Sequence, residues 1–319
     1  MQNITIPFDE SFEKPTAFTD LPDSADDSVF GDVSQHLSSP SYELAFRDAN
    51  YIMSDCARGV RLQMEMDKPE WFFRHCGIRS TVIVFGSARF VSRNKAERLL
   101  SEARDDLSAH PRDPHYADAV TKAELLLKTS VYYETARRFA YIVSKEANIP
   151  APVLPAADRF DSSSRPGPYD YVICTGGGPG VMEAANRGAS EAGAMSIGLN
   201  ITLPYEQKPN PYTTPHLCFQ FHYFNVRKLH FMLRAKAVVA CAGGFGTFDE
   251  LFEALTLRQT ERMQKIPIVL LGTEFWHTCV NFDYLVDTGV INRGDLELFH
   301  ITDDPQKAWD VIQAFYRAD

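Results

Sequence analysis

The sequence predicts an α/β fold: a doubly wound parallel sheet with helices on both faces. Three observations support this prediction. From about residue 169 onward, short apolar runs alternate with helical segments, as in "YDYVICTGGGPGVMEAANRGASEAG" and "AVVACAGGFGTFDELFEALTLRQTE". Some runs are apolar throughout, such as "IPIVLLG", which is typical of strands buried on both faces. Glycine-rich loops follow three of the predicted strands.

The remaining elements follow in chain order. Residues 41–78 are predicted to form one or two helices, and "TVIVFGSARF" (81–90) a short buried strand. Residues 91–120 read as a helix followed by a loop, and residues 121–148 as a long amphipathic helix. Further strands are predicted in "AMSIGLNITLP", "PHLCFQFHYF" and "LELFHIT", with helices between them, including one helix over "TEFWHTCVNFDYLVDTG".

A single domain is expected over residues 41–319, with 41–78 as a helical extension and insertions near 91–120 and 149–168. Residues 1–40 differ from this domain in charge. They hold eight acids and one base, Lys14, and so contribute −7 to the net charge of −10. This tail is also rich in Ser and Pro, so we expect it to be disordered.

Composition excludes several classes of function. No apolar run approaches the roughly 18 to 20 residues of a membrane helix, and because the first residues show neither a basic nor an apolar segment, we expect no secretory signal. The near-neutral remainder has no basic stripe for nucleic acid. Six cysteines at irregular spacing indicate reduced, buried thiols and a cytoplasmic protein. The nine histidines match no metal motif, so no metal is expected.

The three glycine loops are "GSAR" (86–89), "TGGGPG" (175–180) and "GGFGT" (243–247). Such loops at the carboxyl ends of parallel strands, each before a helix N-terminus, suit a phosphate group. Candidate binding residues are Ser87, Gly177 and Gly178. The alternative is strand-to-helix turns without a ligand. Because neither G-x-G-x-x-G nor G-x-x-x-x-G-K-[ST] occurs, a mononucleotide phosphate is favoured over a dinucleotide or a Walker-type ATP site, and no cofactor is expected.

Two cations follow in "FNVRKLHF". If Asn225 caps the next helix, Arg227 and Lys228 lie in its first turn, where positive charge opposes the helix dipole. Either a neighbouring acid offsets this cost, or an anionic ligand or a catalytic carboxylate lies nearby.

Two glutamates follow glycine loops and allow two readings each. Thr247 and Glu250 fit a capping box, yet a carboxylate above a phosphate loop also suits stabilisation of a cationic sugar. Glu183 either complements the dipole of its helix or holds the ribose hydroxyls. The pattern alone does not decide between these readings.

"AGGFGTFDE" resembles the P-G-G-x-G-T-x-x-E motif of the LOG family, the cytokinin riboside 5′-monophosphate phosphoribohydrolases, many of which have been labelled "lysine decarboxylase" in error. "FNVRK" resembles the partner motif, M-H-x-R-K. "GGGPGVMEAANRGA" and "NITLPYEQKPNPY" are similar to segments of the longer bacterial members. The resemblance covers roughly residues 80–285.

The resemblance implies a Rossmann-like fold, a homodimer, and hydrolysis of AMP or a cytokinin riboside monophosphate to free base and ribose 5-phosphate. By motif position it implies that Arg227 and Glu250 are the catalytic pair and that Lys228 assists. It favours the catalytic reading of Glu250, with a capping role alongside. The residues that the resemblance assigns to the phosphate are Gly243, Gly244, Gly246 and Thr247.

The sequence departs from the motifs at Ala242, which replaces Pro, and at Phe224 and Asn225, which replace Met and His. The latter two affect the expected base preference. The rival hypothesis is a non-catalytic nucleotide-binding sensor or carrier. A decarboxylase has no support, since no Schiff-base lysine is identified.

Overall fold

A computed structural model describes residues 33–150, 167–203 and 208–317 of the chain. The chain separates into two compact units, residues 1–58 and residues 59–319. The expected acidic tail falls outside the described residues as far as residue 32, as does most of the insertion predicted at 149–168. The candidate site belongs to the second unit.

Seven strands form one sheet in which every pair of neighbours is parallel. The order across the sheet is β4-β3-β2-β1-β5-β6-β7. The predicted α/β fold with a doubly wound, Rossmann-like parallel sheet is therefore confirmed. The strands are β1 (Thr81–Phe85), β2 (Val172–Thr175), β3 (Ser196–Ile201), β4 (Cys218–Phe221), β5 (Ala235–Cys241), β6 (Ile268–Leu271) and β7 (Phe299–Thr302).

Helices precede the first strand and connect the later ones, and helices of the second unit pack on both faces of the sheet. Those of the described residues are α1 (Ser34–Leu37), α2 (Ala49–Met53), α3 (Arg58–His75), α4 (Arg93–Ala109), α5 (Pro114–Glu146), α6 (Val181–Glu191), α7 (Phe224–Leu233), α8 (Phe245–Gln259), α9 (Thr273–Cys279), α10 (Phe282–Asp287) and α11 (Pro305–Arg317).

The sheet lies between two hydrophobic clusters because successive side chains of a strand point to opposite faces. Ile83 and Phe85 of β1 pack in one cluster, whereas Val82 and Val84 pack in the other. All five residues of β1 are buried. This double burial explains why the central strands read as continuous apolar runs rather than as alternating ones.

Outside the candidate site, three sequence predictions differ from the structure. The long helix α5 begins at Pro114, not at 121, because Asp113 caps it and proline suits the first helical position. The helix predicted over "TEFWHTCVNFDYLVDTG" is divided into α9 and α10, and Asn281 caps the second. The cysteines are free as expected, but only Cys174 and Cys241 are buried.

Candidate functional site

A cavity of about 1130 Å3 opens at the carboxyl ends of the central strands. It lies where the strand order reverses between β1 and β5, the place at which doubly wound sheets bind ligands. All three glycine loops contribute to its wall. Among the lining residues are Ser87, Arg89, Gly176, Gly178, Asn200, Phe219, Phe224, Arg227, Gly243, Gly244, Phe245, Gly246, Thr247 and Glu250.

Arg227 reaches this cavity from α7 and is held by a backbone carbonyl. Its Nε donates to Leu199 O at 2.7 Å, and its guanidinium lies 5.1 Å from the ring centre of Phe231. A methyl group in place of hydrogen at Gly176 would lie 2.5 Å from Arg227 Nη2, so that glycine makes room for the arginine. Burial lowers the pKa of Arg227 from its ordinary value.

The helix that carries Arg227 does not begin where the sequence predicts. Tyr223, not Asn225, is its N-cap residue, and no side chain of α7 itself caps it. Arg227 is therefore the fourth helical residue and lies beyond the first three positions.

A carboxylate from a distant helix supplies the missing cap. Glu65 of α3 accepts hydrogen bonds from the backbone N–H groups of His222 (2.7 Å) and Tyr223 (3.2 Å). The carbonyl oxygen of Glu65 also accepts from Nε2 of the buried His230 at 3.0 Å. Sequence reasoning missed this role because Glu65 lies some 160 residues away from α7 and belongs to no motif.

Glu250 is buried in α8, with 6% of the residue exposed, and lines the cavity. The capping box predicted for it is wrong. The N-cap residue of α8 is Gly244, no side chain caps the helix, and Thr247 is already its third residue. Oε2 of Glu250 has no hydrogen-bond partner among the described residues. Burial raises the pKa of this carboxyl to about 7, although Arg227 and Lys228 act in the opposite direction.

The two residues of the expected catalytic pair share the cavity without touching. In the part of the chain that the structure describes, no ion pair joins Arg227 to Glu250, although their charges influence one another. Both groups thus face the cavity with their charges uncompensated by a direct partner.

The charge of Lys228, unlike that of Arg227, is balanced by acidic side chains. Its ammonium pairs with Asp249 at 2.8 Å and with Glu253 at 3.1 Å, and it is not among the cavity-lining residues. These pairs join α7 to α8. For Lys228, the structure favours the reading in which neighbouring acids compensate its charge.

The loop after β2 is held by a buried polar network. Asn210 donates from Nδ2 to the carbonyl oxygens of Gly177 (3.1 Å) and Gly178 (3.0 Å) and to Oδ1 of Asn186 (2.9 Å). Gly177 N donates to Thr175 Oγ1 at 2.9 Å. Gly178 lines the cavity, whereas Gly177 does not. Asn210 lies in the quoted "NITLPYEQKPNPY", but nothing in that pattern indicated its contacts.

Glu183 is not at the cavity wall. Its Oε1 accepts a hydrogen bond from the hydroxyl of Tyr133 at 2.9 Å, which links α6 to α5. Of the two motif departures in "FNVRK", Phe224 lines the cavity, and Asn225 is exposed and does not. The expected role of Glu183 toward the ribose therefore has no geometric support.

The loop after β5 has glycines that the fold itself does not demand. Gly244 and Gly246 have no atom within 4 Å of the position a methyl group would take, and neither has a positive φ. Phe245 between them is 96% exposed. An open glycine edge at a helix N-terminus presents unpaired N–H groups, which is the geometry that binds an anion.

The described residues show neither a metal site nor a membrane segment. No three His, Cys, Asp or Glu side chains of this part of the chain are grouped in a way that could hold a metal ion. None of its helices combines the length and the apolar character that crossing a membrane requires.

Comparison with solved structures finds distant similarities. The chain resembles the X-ray structure of TM1055, a structural genomics target, at 20% identity and a TM-score of 0.41, covering 74% of this chain and 99% of that one. It also resembles the Moco carrier protein of Chlamydomonas reinhardtii, at 18% identity and a TM-score of 0.40, covering 76% and 100%. A comparison with curated protein sequences finds no significant match.

A family model described as "Possible lysine decarboxylase" matches residues 182–312. The matched segment contains both cavity-facing charged residues, Arg227 and Glu250, and the whole glycine loop after β5. The match to residues 182–312 agrees with the resemblance of this chain to the LOG family, whose domain often carries the lysine decarboxylase label.

Proposed function

We propose that this chain hydrolyses the N-glycosidic bond of a nucleoside 5′-monophosphate, of the AMP or cytokinin riboside type, to free base and ribose 5-phosphate. The LOG-family domain supports a nucleotide-related function. The observation that carries the finer proposal is Glu250, a buried residue on the wall of a large cavity whose Oε2 has no hydrogen-bond partner among the described residues. A shifted pKa in a cleft is typical of groups that do chemistry.

The 5′-phosphate would bind at the loop after β5. Gly244 and Gly246 leave open space beside the N-terminus of α8, and Thr247 adds a side chain there. The guanidinium of Arg227 has no acidic partner within ion-pair distance in the described residues, so it is available to the anionic substrate. Ser87 and Gly178 line the same cavity and remain candidates for further contacts.

The chemistry follows from the charge that develops on the sugar. As the bond between C1′ and the base nitrogen breaks, its electron pair leaves with the base and the sugar becomes cationic. The carboxylate of Glu250 stabilises that cation and accepts a proton from the attacking water. The hydroxyl of the water ends on C1′, and the departing base takes up one proton overall.

A pKa of about 7 leaves a substantial fraction of Glu250 ionised at neutral pH. Because the carboxylate is the active form in this mechanism, we expect base release to rise with pH through about 7 and then to level off. A pH profile of kcat/KM that stays flat from pH 5.5 to 8.5 would contradict the assignment.

The decisive experiment measures base release by chromatography from a panel of nucleoside 5′-monophosphates that includes AMP and isopentenyladenosine monophosphate. The variant Glu250→Gln is compared with Glu183→Gln. Glu183 is a matched control because it is a glutamate of α6, the helix that follows the glycine loop after β2. We expect Glu250→Gln to lose about 10²- to 10⁴-fold in kcat, and Glu183→Gln to keep activity. Tight nucleotide binding without base release by the wild type would contradict hydrolysis and favour the rival hypothesis of a sensor or carrier.

Two accompanying proposals concern the state of the protein. We expect a homodimer or higher homo-oligomer, which light scattering of the purified chain tests directly. We also expect a cytoplasmic location, tested by cell fractionation.

A further inference from the structure

The side-chain amide of Asn200 lies at the carboxyl end of β3 and lines the cavity. Its orientation is fixed by a backbone partner. Nδ2 donates to the carbonyl oxygen of Phe219 at 3.1 Å and lies 3.4 Å from Cys218 Sγ. A carbonyl oxygen can only accept, so the NH2 group must face Phe219 and the oxygen of the amide must face the other way.

That oxygen is an acceptor without a donor. In residues 33–150, 167–203 and 208–317, no protein N–H or O–H forms a hydrogen bond to Asn200 Oδ1, although the amide nitrogen is occupied. Polar groups at the wall of a binding cavity whose partners are missing from the protein are the groups that orient a ligand.

The amide of Asn200 packs against the glycine loop after β2, one part of the proposed site. A methyl group at Gly177 would lie 2.6 Å from Oδ1, so the loop after β2 packs directly on the amide. The preceding residue in β3, Leu199, provides the carbonyl that holds Arg227 Nε at 2.7 Å. Asn200 is therefore fixed to the same stretch of strand as the cation of the site.

We infer that Asn200 Oδ1 accepts a hydrogen bond from a ribose hydroxyl of the substrate and so selects ribonucleotides over deoxyribonucleotides. This inference rests on the proposed function. Above its second pKa of about 6, a phosphate monoester carries no proton to donate to Oδ1, which disfavours the phosphate as its partner. The carbons C2′ and C3′, which carry the hydroxyls, lie one and two bonds from C1′, the atom that reacts, so the hydroxyls remain close to the charged groups around it.

A neutral amide suits this position better than a carboxylate. It accepts a hydrogen bond from a hydroxyl as a carboxylate does, but it adds no negative charge beside a phosphate-bearing ligand. Glu183, the residue that the sequence suggested for the ribose, is instead bonded to Tyr133 outside the cavity lining. The acid that the sequence suggested is therefore not placed to accept a hydrogen bond from a ribose hydroxyl.

The test measures dissociation constants by calorimetry for AMP, 2′-deoxy-AMP and 3′-deoxy-AMP, in the Glu250→Gln background so that turnover does not interfere. We expect this background to prefer AMP over at least one deoxy analogue by about 2- to 10-fold, the worth of one hydrogen bond. Asn200→Ala should reduce that preference to about one. If Asn200→Ala abolishes the preference for AMP over one of the two deoxy analogues, the hydroxyl missing from that analogue is the one that Asn200 binds.

The ratio separates recognition from general damage. Loss of the Phe219 contact in Asn200→Ala weakens all three nucleotides alike and leaves their ratio unchanged, whereas loss of a hydroxyl contact changes the ratio. Gln220→Ala, on the neighbouring strand and the same cavity wall, is the control that should keep the preference. A preference that survives Asn200→Ala, absence of any preference in the background, or absence of AMP binding would overturn the inference.

Failure of this inference is distinct from failure of the proposed function. Base release by the wild type, with a ribose preference that does not depend on Asn200, overturns the inference alone. A preference that depends on Asn200, without base release from any nucleotide, supports the inference and rejects the hydrolase.

Discussion

The glycine loop after β2 and the glycine loop after β5 face one cavity, yet they differ in which of their glycines the fold requires. In the first loop, Gly180 has φ +73°, and a side chain there would collide with the carbonyl oxygen of Ser87. Gly177 has φ +70° and packs on the amide of Asn200. In the second loop, a side chain at Gly243 would collide with Thr247, but Gly244 and Gly246 meet neither restriction.

The glutamates that follow the two loops also differ in whether contacts within the chain explain them. Glu183 in α6 is bonded to Tyr133, whereas Glu250 in α8 is buried with one oxygen lacking any partner among the described residues. The first loop and its helix are thus explained by contacts within the chain. The second contains residue types that intramolecular contacts do not explain, which is what a ligand site requires. Four predictions test this contrast.

The largest effect is expected for Gly180→Ala. Both the positive φ and the collision with Ser87 oppose a side chain, so we expect the free energy of unfolding to fall by about 2 to 5 kcal/mol. Gly193→Ala is the matched control, because Gly193 has φ +75° but no atom within 4 Å of the added methyl. It should cost about 1 to 2 kcal/mol in urea unfolding. Equal losses in the two variants would show that packing against Ser87 is unimportant.

The next effect concerns the charge of Glu250. Burial raises the pKa of this carboxyl to about 7 from an ordinary value of 4.5, so the folded state holds its proton more tightly than the unfolded state does. The resulting stabilisation is fully present below about pH 4.5 and is lost as the pH rises through 7.

The neutral variant Glu250→Gln has no such loss. Its free energy of unfolding should therefore exceed that of the wild type by about 3 kcal/mol above pH 7, and by nothing near pH 4.5. Glu183→Gln should not be more stable than the wild type, because the Glu183 carboxylate already has a hydrogen-bond partner. Urea titrations between pH 4.5 and 8 measure this. If Glu250→Gln is no more stable than the wild type at pH 8, Glu250 is not the destabilising group that the contrast requires.

A smaller effect is expected for Gly246→Ala. Gly246 is the second residue of α8 and has open space, so alanine should raise stability by up to about 1 kcal/mol while weakening AMP binding about tenfold. Gly59 is the second residue of α3 and also has open space, which makes Gly59→Ala the matched control. That variant should gain similar stability with unchanged binding. Unaltered AMP affinity in Gly246→Ala would contradict the proposal that the phosphate binds at this loop.

The sequence predicted the parts of the site that depend on local pattern. The sheet and its three glycine loops follow from apolar runs and glycines, and Arg227 and Glu250 were selected from motif positions. What it missed depends on contacts between distant segments. The cap that Glu65 places on α7 and the clamp of Asn210 on Gly177 join residues separated by 33 to 158 positions. A capping box at Thr247 was locally reasonable but wrong, because α8 starts two residues earlier at Phe245.

The smallest effect is expected for Lys228→Met. This variant tests whether Lys228 contacts the substrate or only joins α7 to α8. If Lys228 only joins α7 to α8 through Asp249 and Glu253, its loss should cost about 0.5 to 1 kcal/mol of stability. The loss should shrink at high salt, because the acidic partners are partly exposed. The KM for AMP should then change less than twofold. A rise in KM of tenfold or more with unchanged stability would instead make Lys228 a substrate contact, as the motif resemblance implies, and α8 would then need a different link to α7.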